Sequence, residues 1–215
     1  FIKEKHQLKF YKNNLSQFVE IEGEKIFDEA YRQGKGVMTI TGHIGCFELL
    51  APYFNQKGYK TAVIGRELYD KRLDKILLEN REKTGVQNIP NTASVKEVFK
   101  VLNEGKALGV LIDQNSNKVR NVKVDFFGRP VNTPIGPALI ALKTGSAVVP
   151  MAMVRNSNHT YRIIVGQKII PKKIGKAEDI EKEAVDLTQK CTWFLEEIIR
   201  KYPTQWVWMH NRWGD

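Results

Sequence analysis

The sequence predicts an α/β domain in which a mainly parallel, mixed sheet is flanked by helices, with residues 1–215 forming one unit. Three observations predict it. Short apolar runs alternate with helical stripes along the chain. The succession strand, glycine turn, helix occurs over 37–55 and again in kind over 61–83, as parallel strands joined by crossover helices require. And 215 residues, 42% of them hydrophobic, supply one sizeable core but not two, with neither an internal repeat nor a linker to divide them.

Each element has its own signal. Ile26, Phe27, Ala30 and Tyr31 form a helical stripe ending at the Gly34-Lys35-Gly36 breaker, so an amphipathic helix lies within 1–35. Residues 37–41 read as a short buried strand, followed by the Gly42-His43-Ile44-Gly45 turn and a helix over 46–55. Strand 61–65 leads to a helix over 70–83 with Leu73, Ile76 and Leu77 facing inward. Helix 94–104 and strand 107–112 follow, the strand running into Asp113-Gln114-Asn115. A basic, polar loop precedes a strand over 122–127 that ends at Gly128-Arg129-Pro130. The next helix, 134–143, has proline in its first turn, and strands 147–155 and 161–165 are separated by Asn156-Ser157-Asn158. The longest helix, 179–201, carries Ile180, Ala184, Leu187, Cys191, Phe194, Leu195 and Ile198 at helical spacing. The tail from Trp206 to His210 is apolar on both faces, as a strand covered on both sides would be.

Composition excludes whole classes. Disorder, collagen and low-complexity repeats do not fit 42% hydrophobic and 27% charged residues. Two distant cysteines, Cys46 and Cys191, make neither a disulfide framework nor a structural zinc site, which fits a reducing compartment. No stretch is long and apolar enough to span a bilayer, and the chain begins with Phe1, so any N-terminal anchor is expected to have been trimmed or to be missing. The net charge of +10 is regional: between Asp125 and Glu178 there is no acid, while Arg129, Lys143, Arg155, Arg162, Lys168, Lys172, Lys173 and Lys176 all fall there. A field of one sign implies an anionic partner, and Lys172, Lys173 and Lys176, crowded in a Pro/Gly-containing loop, are the expected contacts with anionic lipid or an acidic carrier protein.

Dinucleotide, P-loop, serine-hydrolase and zincin signatures are all absent. What the chain offers is His43 at a strand end and Glu48 five residues on. On an uninterrupted helix, positions five apart point about 140° from each other. With His43 in the turn and Glu48 in the first helical turn, the carboxylate is expected to reach one ring nitrogen and leave the other as a general base. The helix start beside it adds backbone N–H donors for a phosphate or an oxyanion. Arg66 and Asp113 stand at comparable strand ends: Arg66 as a substrate or oxyanion contact, Asp113 as a site residue, a cap, or the partner of Arg66 in an ion pair that shapes the site. Cys46 reads as packing, since no thiol is required. Trp206, Trp208 and Trp213 read as core.

Gly42-His43-Ile44-Gly45-Cys46-Phe47-Glu48 resembles the H-x4-D/E box of the glycerolipid acyltransferases, in the form found in bacterial lipid A late acyltransferases of the HtrB/MsbB type. Four further elements resemble that family in order: Arg66 after the next strand; Asp113-Gln114; the stretch from Val124-Asp125-Phe126-Phe127-Gly128 through Thr133 and Gly136 to Gly145 and Pro150; and the box from Gln205 to Trp213 that contains Arg212. Asn115 and Asn211 depart from the common pattern, at positions that bear on substrate subtype. The resemblance implies a glycerolipid acyltransferase-like fold. It also implies transfer of a fatty acyl group from an acyl-carrier-protein thioester to a hydroxyl of a membrane glycolipid, a lipid A precursor above all. His43 and Glu48 would be catalytic, and Arg66, Asp113, Gln114 and Arg212 would bind substrate. It implies no metal and no cofactor, acyl carrier protein and an anionic membrane surface as partners, and a place on the cytoplasmic face of the bacterial inner membrane, peripheral or through the missing anchor. Three alternatives stay open: another lipid acceptor, such as a lysophospholipid; a non-catalytic module that binds anionic lipid; and a nucleic-acid-binding domain, which would explain the basic interval but leave the His43 turn without purpose.

Overall fold

The computed structural model describes residues 15–115, 119–172 and 177–214. Its first strand, β1 (Val19–Glu22), leads through Gly23 into helix α1 (Glu24–Tyr31). Strand β2 (Val37–Thr41) is followed by a 3₁₀ turn, Phe47–Leu49, and α2 (Leu50–Gln56). Then come β3 (Thr61–Gly65), α3 (Lys71–Lys83), β4 (Gln87–Pro90), α4 (Val95–Asn103) and β5 (Ala107–Leu111). A two-stranded antiparallel hairpin, β6 (Asn121–Phe126) and β7 (Arg129–Pro134), precedes α5 (Gly136–Thr144). Strands β8 (Ala147–Arg155) and β9 (Tyr161–Val165), then the long α6 (Ala177–Lys201) and a 3₁₀ turn, Pro203–Gln205, complete the order.

The main sheet has seven strands in the order β1-β9-β8-β2-β5-β3-β4. All its pairings are parallel except β8 with β9, so the sheet is mixed and mainly parallel, with helices on both faces. Central strand β2 is buried at every residue, as a strand covered on both faces must be. Val37 packs toward Phe27, Tyr53 and Phe54 of α1 and α2, while Met38 and Ile40 pack toward Val98, Val101, Ala184 and Leu187 of α4 and α6. A third cluster joins the hairpin to α6 and the tail through Phe126, Val131, Ile198 and Trp206. Local chemistry agrees with these boundaries: Asp70 caps α3 by accepting from the Arg72 amide, and Ser94 with Glu97 forms a capping box on α4.

Four parts of the chain differ from the sequence expectation. β1 and β4 are polar edge strands of four residues each, too short and too hydrophilic to stand out. β7 carries prolines at its second and last positions, Pro130 and Pro134, where a missing N–H is tolerated in an edge strand. The tail is no strand: it makes a single bridge, Ile44 with Trp206, and then turns, burying Trp206 while leaving Trp208 52% exposed. The acid-free interval is also not bare. Folding brings Glu20 and Glu22 to Arg162, Glu29 to Lys168 and Glu183 to Lys172. Lys173 and Lys176 lie outside the described residues.

Candidate active site

Strands β2, β5, β3, β4 and β8 all run the same way, so one sheet edge collects the loops that follow each of them. In open α/β sheets this edge, beyond the carboxyl ends of the strands, is where ligands bind. The register pairs Thr41 with Leu111, and two residues beyond each lie His43 and Asp113. Asp113 Oδ1 stands 2.8 Å from His43 Nδ1, and Oδ2 accepts from the His43 amide at 2.7 Å and from the Trp206 indole at 2.9 Å. Gly42 makes this approach possible, because a Cβ there would lie 3.0 Å from the Asp113 carboxyl carbon. Gly45, at φ 55°, closes the turn where a Cβ would meet the Met153 carbonyl at 2.2 Å. The turn is pinned from three sides: Val207 donates to the His43 carbonyl, Gly45 to that of Gln205, and Cys46 to that of Met153.

The Asp113 side chain is 1% exposed and that of His43 is 23% exposed, so the carboxylate is sealed and the imidazole opens outward. Burial pushes the Asp113 carboxyl up, but the His43 hydrogen bond and charge, with the Trp206 bond, outweigh it and hold the group below the ordinary carboxylate range. A carboxyl lowered on folding stabilises the protein fully above its unfolded value of about 3.9, and that contribution is lost as pH falls through the lower native value. Wild type is therefore expected to lose more stability than Asp113→Asn between about pH 5 and about pH 2, measured as the shift in urea midpoint.

Glu48 does not reach His43. It sits in the 3₁₀ turn and accepts from Arg81 of α3, with Oε1 2.8 Å from Nη2 and Oε2 3.3 Å from Nε, while Arg81 Nη1 donates to Asn88. The carboxylate that holds the histidine is Asp113, seventy positions away in sequence, because strand register brings it closer than the local turn brings Glu48. Glu48, Arg81, Thr41 and Phe47 border a narrow, mostly apolar cavity of about 50 Å³ that runs between α2 and the sheet past Ala51, Val63 and Leu111. Phe47 also meets the His43 ring edge-on at 5.0 Å between centroids.

Arg66 is exposed just beyond β3, at the rim of an open cleft of about 260 Å³ that it shares with Arg81 and Asn91; the anticipated ion pair with Asp113 is not made. Gln114 stands over the histidine, its amide nitrogen 3.2 Å from His43 Nε2. Arg212 is 1% exposed: its guanidinium donates to the Asn132 carbonyl and the Thr133 hydroxyl and lies 5.2 Å from the Phe126 ring centroid. Burial pushes it down, to about 10, with the Asp113 charge opposing, so it remains a cation at neutral pH that ties the tail to the hairpin from within the core. Cys46 and Cys191 are both buried in the core and neither is in a disulfide, and burial pushes the Cys191 thiol up to about 12. His210 is the site residue that sequence reasoning missed. It lies 5.1 Å from His43 between ring centroids, and its only signal was its place in the tail box.

The profile of the bacterial lipid A biosynthesis acyltransferases matches residues 4–215. Among curated proteins, a phosphatidylinositol mannoside acyltransferase of Mycobacterium tuberculosis is 26% identical over 134 residues, 60% of this chain and 42% of that protein. The phosphatidylinositol mannoside acyltransferase of Mycolicibacterium smegmatis is 23% identical over 184 residues, 84% of this chain and 57% of that protein. This chain thus spans about half the length of the curated relatives it matches. A crystal structure of the 1-acyl-sn-glycerophosphate acyltransferase of Thermotoga maritima aligns over 95% of this chain and 80% of that one, at 15% identity and a TM-score of 0.47. With the family profile covering nearly its whole length, the chain belongs to the bacterial lipid A biosynthesis acyltransferase family.

Proposed function

We propose that this chain transfers a fatty acyl group from an acyl-carrier-protein thioester to a sugar hydroxyl of a phosphorylated membrane glycolipid, with a lipid A precursor as the first acceptor to examine. The observation that carries this reading is the 2.8 Å contact between Asp113 and His43 Nδ1. It commits the ring proton to Nδ1 and leaves the Nε2 lone pair on the open side. In the reaction, Nε2 takes the proton of the acceptor hydroxyl as its oxygen attacks the thioester carbon. The tetrahedral intermediate then expels the thiolate, a good leaving group because thiols are far more acidic than alcohols, and the imidazolium returns its proton to that sulfur. The balance closes on these groups alone, without a covalent acyl-enzyme.

An apolar cavity beside the base suits an acyl chain, although at about 50 Å³ it must widen to seat a long one. Arg66, exposed at the cleft rim, is the proposed contact for a headgroup phosphate. The protein is proposed to work at the cytoplasmic face of the inner membrane. Lys172 is 76% exposed and its only ion-pair partner among the described residues, the 15% exposed Glu183, is 3.7 Å away, so its ammonium can turn to a lipid phosphate, and Lys173 and Lys176 are proposed to act with it. No helix among the described residues is long and apolar enough to cross a membrane.

The curated relatives favour a second acceptor, a mannosylated phosphatidylinositol, whose sugar hydroxyl and phosphate present the same chemistry. Incubation with acyl-acyl-carrier protein and either glycolipid in anionic vesicles, read by the mass of the product, is expected to show one acyl group added to a glycolipid. Acylation of lysophospholipid alone would move the acceptor class, and no product from any lipid would favour the non-catalytic module.

A further inference from the structure

Thr39, Thr41 and Thr61 line the cavity between α2 and the sheet, and two of their hydroxyls are engaged: Thr39 donates to the Leu108 carbonyl at 3.1 Å, and Thr61 donates to the Ala51 carbonyl and accepts from Asn55. The Thr41 hydroxyl, on a residue 6% exposed, is buried with no hydrogen-bond partner among the described residues. Valine has the same shape and suits a strand as well, so an orphaned hydroxyl here costs stability that a bound ligand recovers. We propose that Thr41 is a further catalytic residue, its hydroxyl donating to the carbonyl oxygen of the bound acyl thioester before and during attack by the acceptor. The inference rests on the reading of His43 as the base and of this cavity as the seat of the acyl chain.

Position supports it. Thr41 pairs in register with Leu111, which also lines the cavity, and His43 and Asp113 lie two residues beyond each, so Thr41 stands one pleat, about 6.6 Å of strand, below the dyad. Phe47, in the cavity wall, meets the His43 ring edge-on, which sets the upper end of the cavity against the base. From there the cavity descends past the paired Thr39 and Gly109 to Ala107, Phe27 and Phe54, so a chain seated with its tail downward carries its head to Thr41. A saturated chain has one oxygen to offer, the thioester carbonyl at that head. With a hydrogen bond of about 2.8 Å at either end, an acceptor hydroxyl on Nε2 and a carbonyl oxygen on Thr41 bracket the acyl carbon, a span that one pleat provides. Glu48 in the same wall would repel a growing oxyanion, but its pairing with Arg81 at 2.8 Å offsets that charge. As the acceptor oxygen bonds to the acyl carbon, the carbonyl π pair moves onto oxygen, and Thr41 stabilises that oxyanion without giving up its proton. The pair returns as the carbon–sulfur bond breaks, and the thiolate takes the proton that His43 accepted.

The test compares Thr41→Val, which keeps the shape and removes the donor, with Thr41→Ser, which keeps the donor. With acyl-acyl-carrier protein and glycolipid vesicles, the Val variant is expected to lose about 10² to 10³ in kcat with little change in KM, and Ser, whose hydroxyl is less firmly held, to stay within about tenfold of wild type. Urea unfolding separates this from a structural role, because the Val midpoint is expected at or above that of wild type. The infrared carbonyl band of a donor carrying carbon-13 at the thioester carbon, bound with no acceptor present, supplies a readout that needs no turnover. It is expected at lower frequency on wild type than on Thr41→Val. Val turnover equal to wild type, Ser as impaired as Val, a loss confined to donors with a hydroxylated chain, a lowered Val midpoint, or a carbonyl band indifferent to Thr41→Val would each overturn the proposal. A band shifted on wild type with no lipid acylated would support the Thr41 contact and refute the acyl-transfer reading, so the two failures are distinguishable.

Discussion

Asp113→Asn is expected to lower turnover by about 10² to 10⁴, nearly as much as His43→Ala, while Glu48→Gln costs far less. Asp113 accepts at three places, one at Oδ1 from the ring and two at Oδ2 from the His43 amide and the Trp206 indole. Asparagine has one acceptor oxygen, and the site with two donors claims it. Its NH₂ then faces Nδ1, which must become the acceptor, so the ring proton moves to Nε2 and blocks the base in its resting form. The fold is expected to survive, since shape and two of the three bonds are kept. Steady-state kinetics on the folded variants check the order of the three, and a Glu48→Gln loss as large as that of Asp113→Asn would show that Glu48 takes part in the chemistry.

The second large effect falls on stability. Arg81→Leu is expected to destabilise the fold by about 3 kcal/mol, the lower end of what stranding a buried charge costs, because the Glu48 side chain it leaves behind is still 22% exposed. Arg81 is 9% exposed and joins the 3₁₀ turn after β2 to α3 and, through Asn88, to β4, so its loss frees three elements at once. Urea unfolding of Arg81→Leu, Glu48→Gln and the double variant measures this. The double variant is expected to be less destabilised than the sum of the singles, because the stranded charge is gone. Strict additivity would mean that the pair is not coupled.

Much of the fold was legible because periodicity reports burial. β3, β8 and β9 and the spans of α3 and α4 follow the sequence reading closely, each resting on an apolar run or a helical stripe. β1 and β4 were hidden because edge strands bury little, and the tail misled because three tryptophans suggest a covered strand, whereas Trp208 lies largely open, stacked edge-on against Trp206 at 4.7 Å. In the site, His43 was legible from its glycine turn. Its partner was not: Glu48 is near in sequence, but the Thr41–Leu111 register, which sequence spacing does not encode, presents Asp113 instead. For the same reason the acids that meet the basic interval, Glu20, Glu22, Glu29 and Glu183, lay outside any local reading of charge.

The most direct measurement of the central claim, that His43 held by Asp113 drives acyl transfer to a glycolipid, is a single-turnover transfer of a labelled acyl group. The label starts on the carrier-protein thioester, and wild type is compared with His43→Ala under identical conditions, both verified as folded by circular dichroism. The account predicts labelled glycolipid from wild type within the first turnover, no label on the protein at any time, and from His43→Ala a rate lower by about 10² or more. Label reaching the glycolipid at an undiminished rate in His43→Ala, or accumulating on the protein ahead of the product, would contradict it.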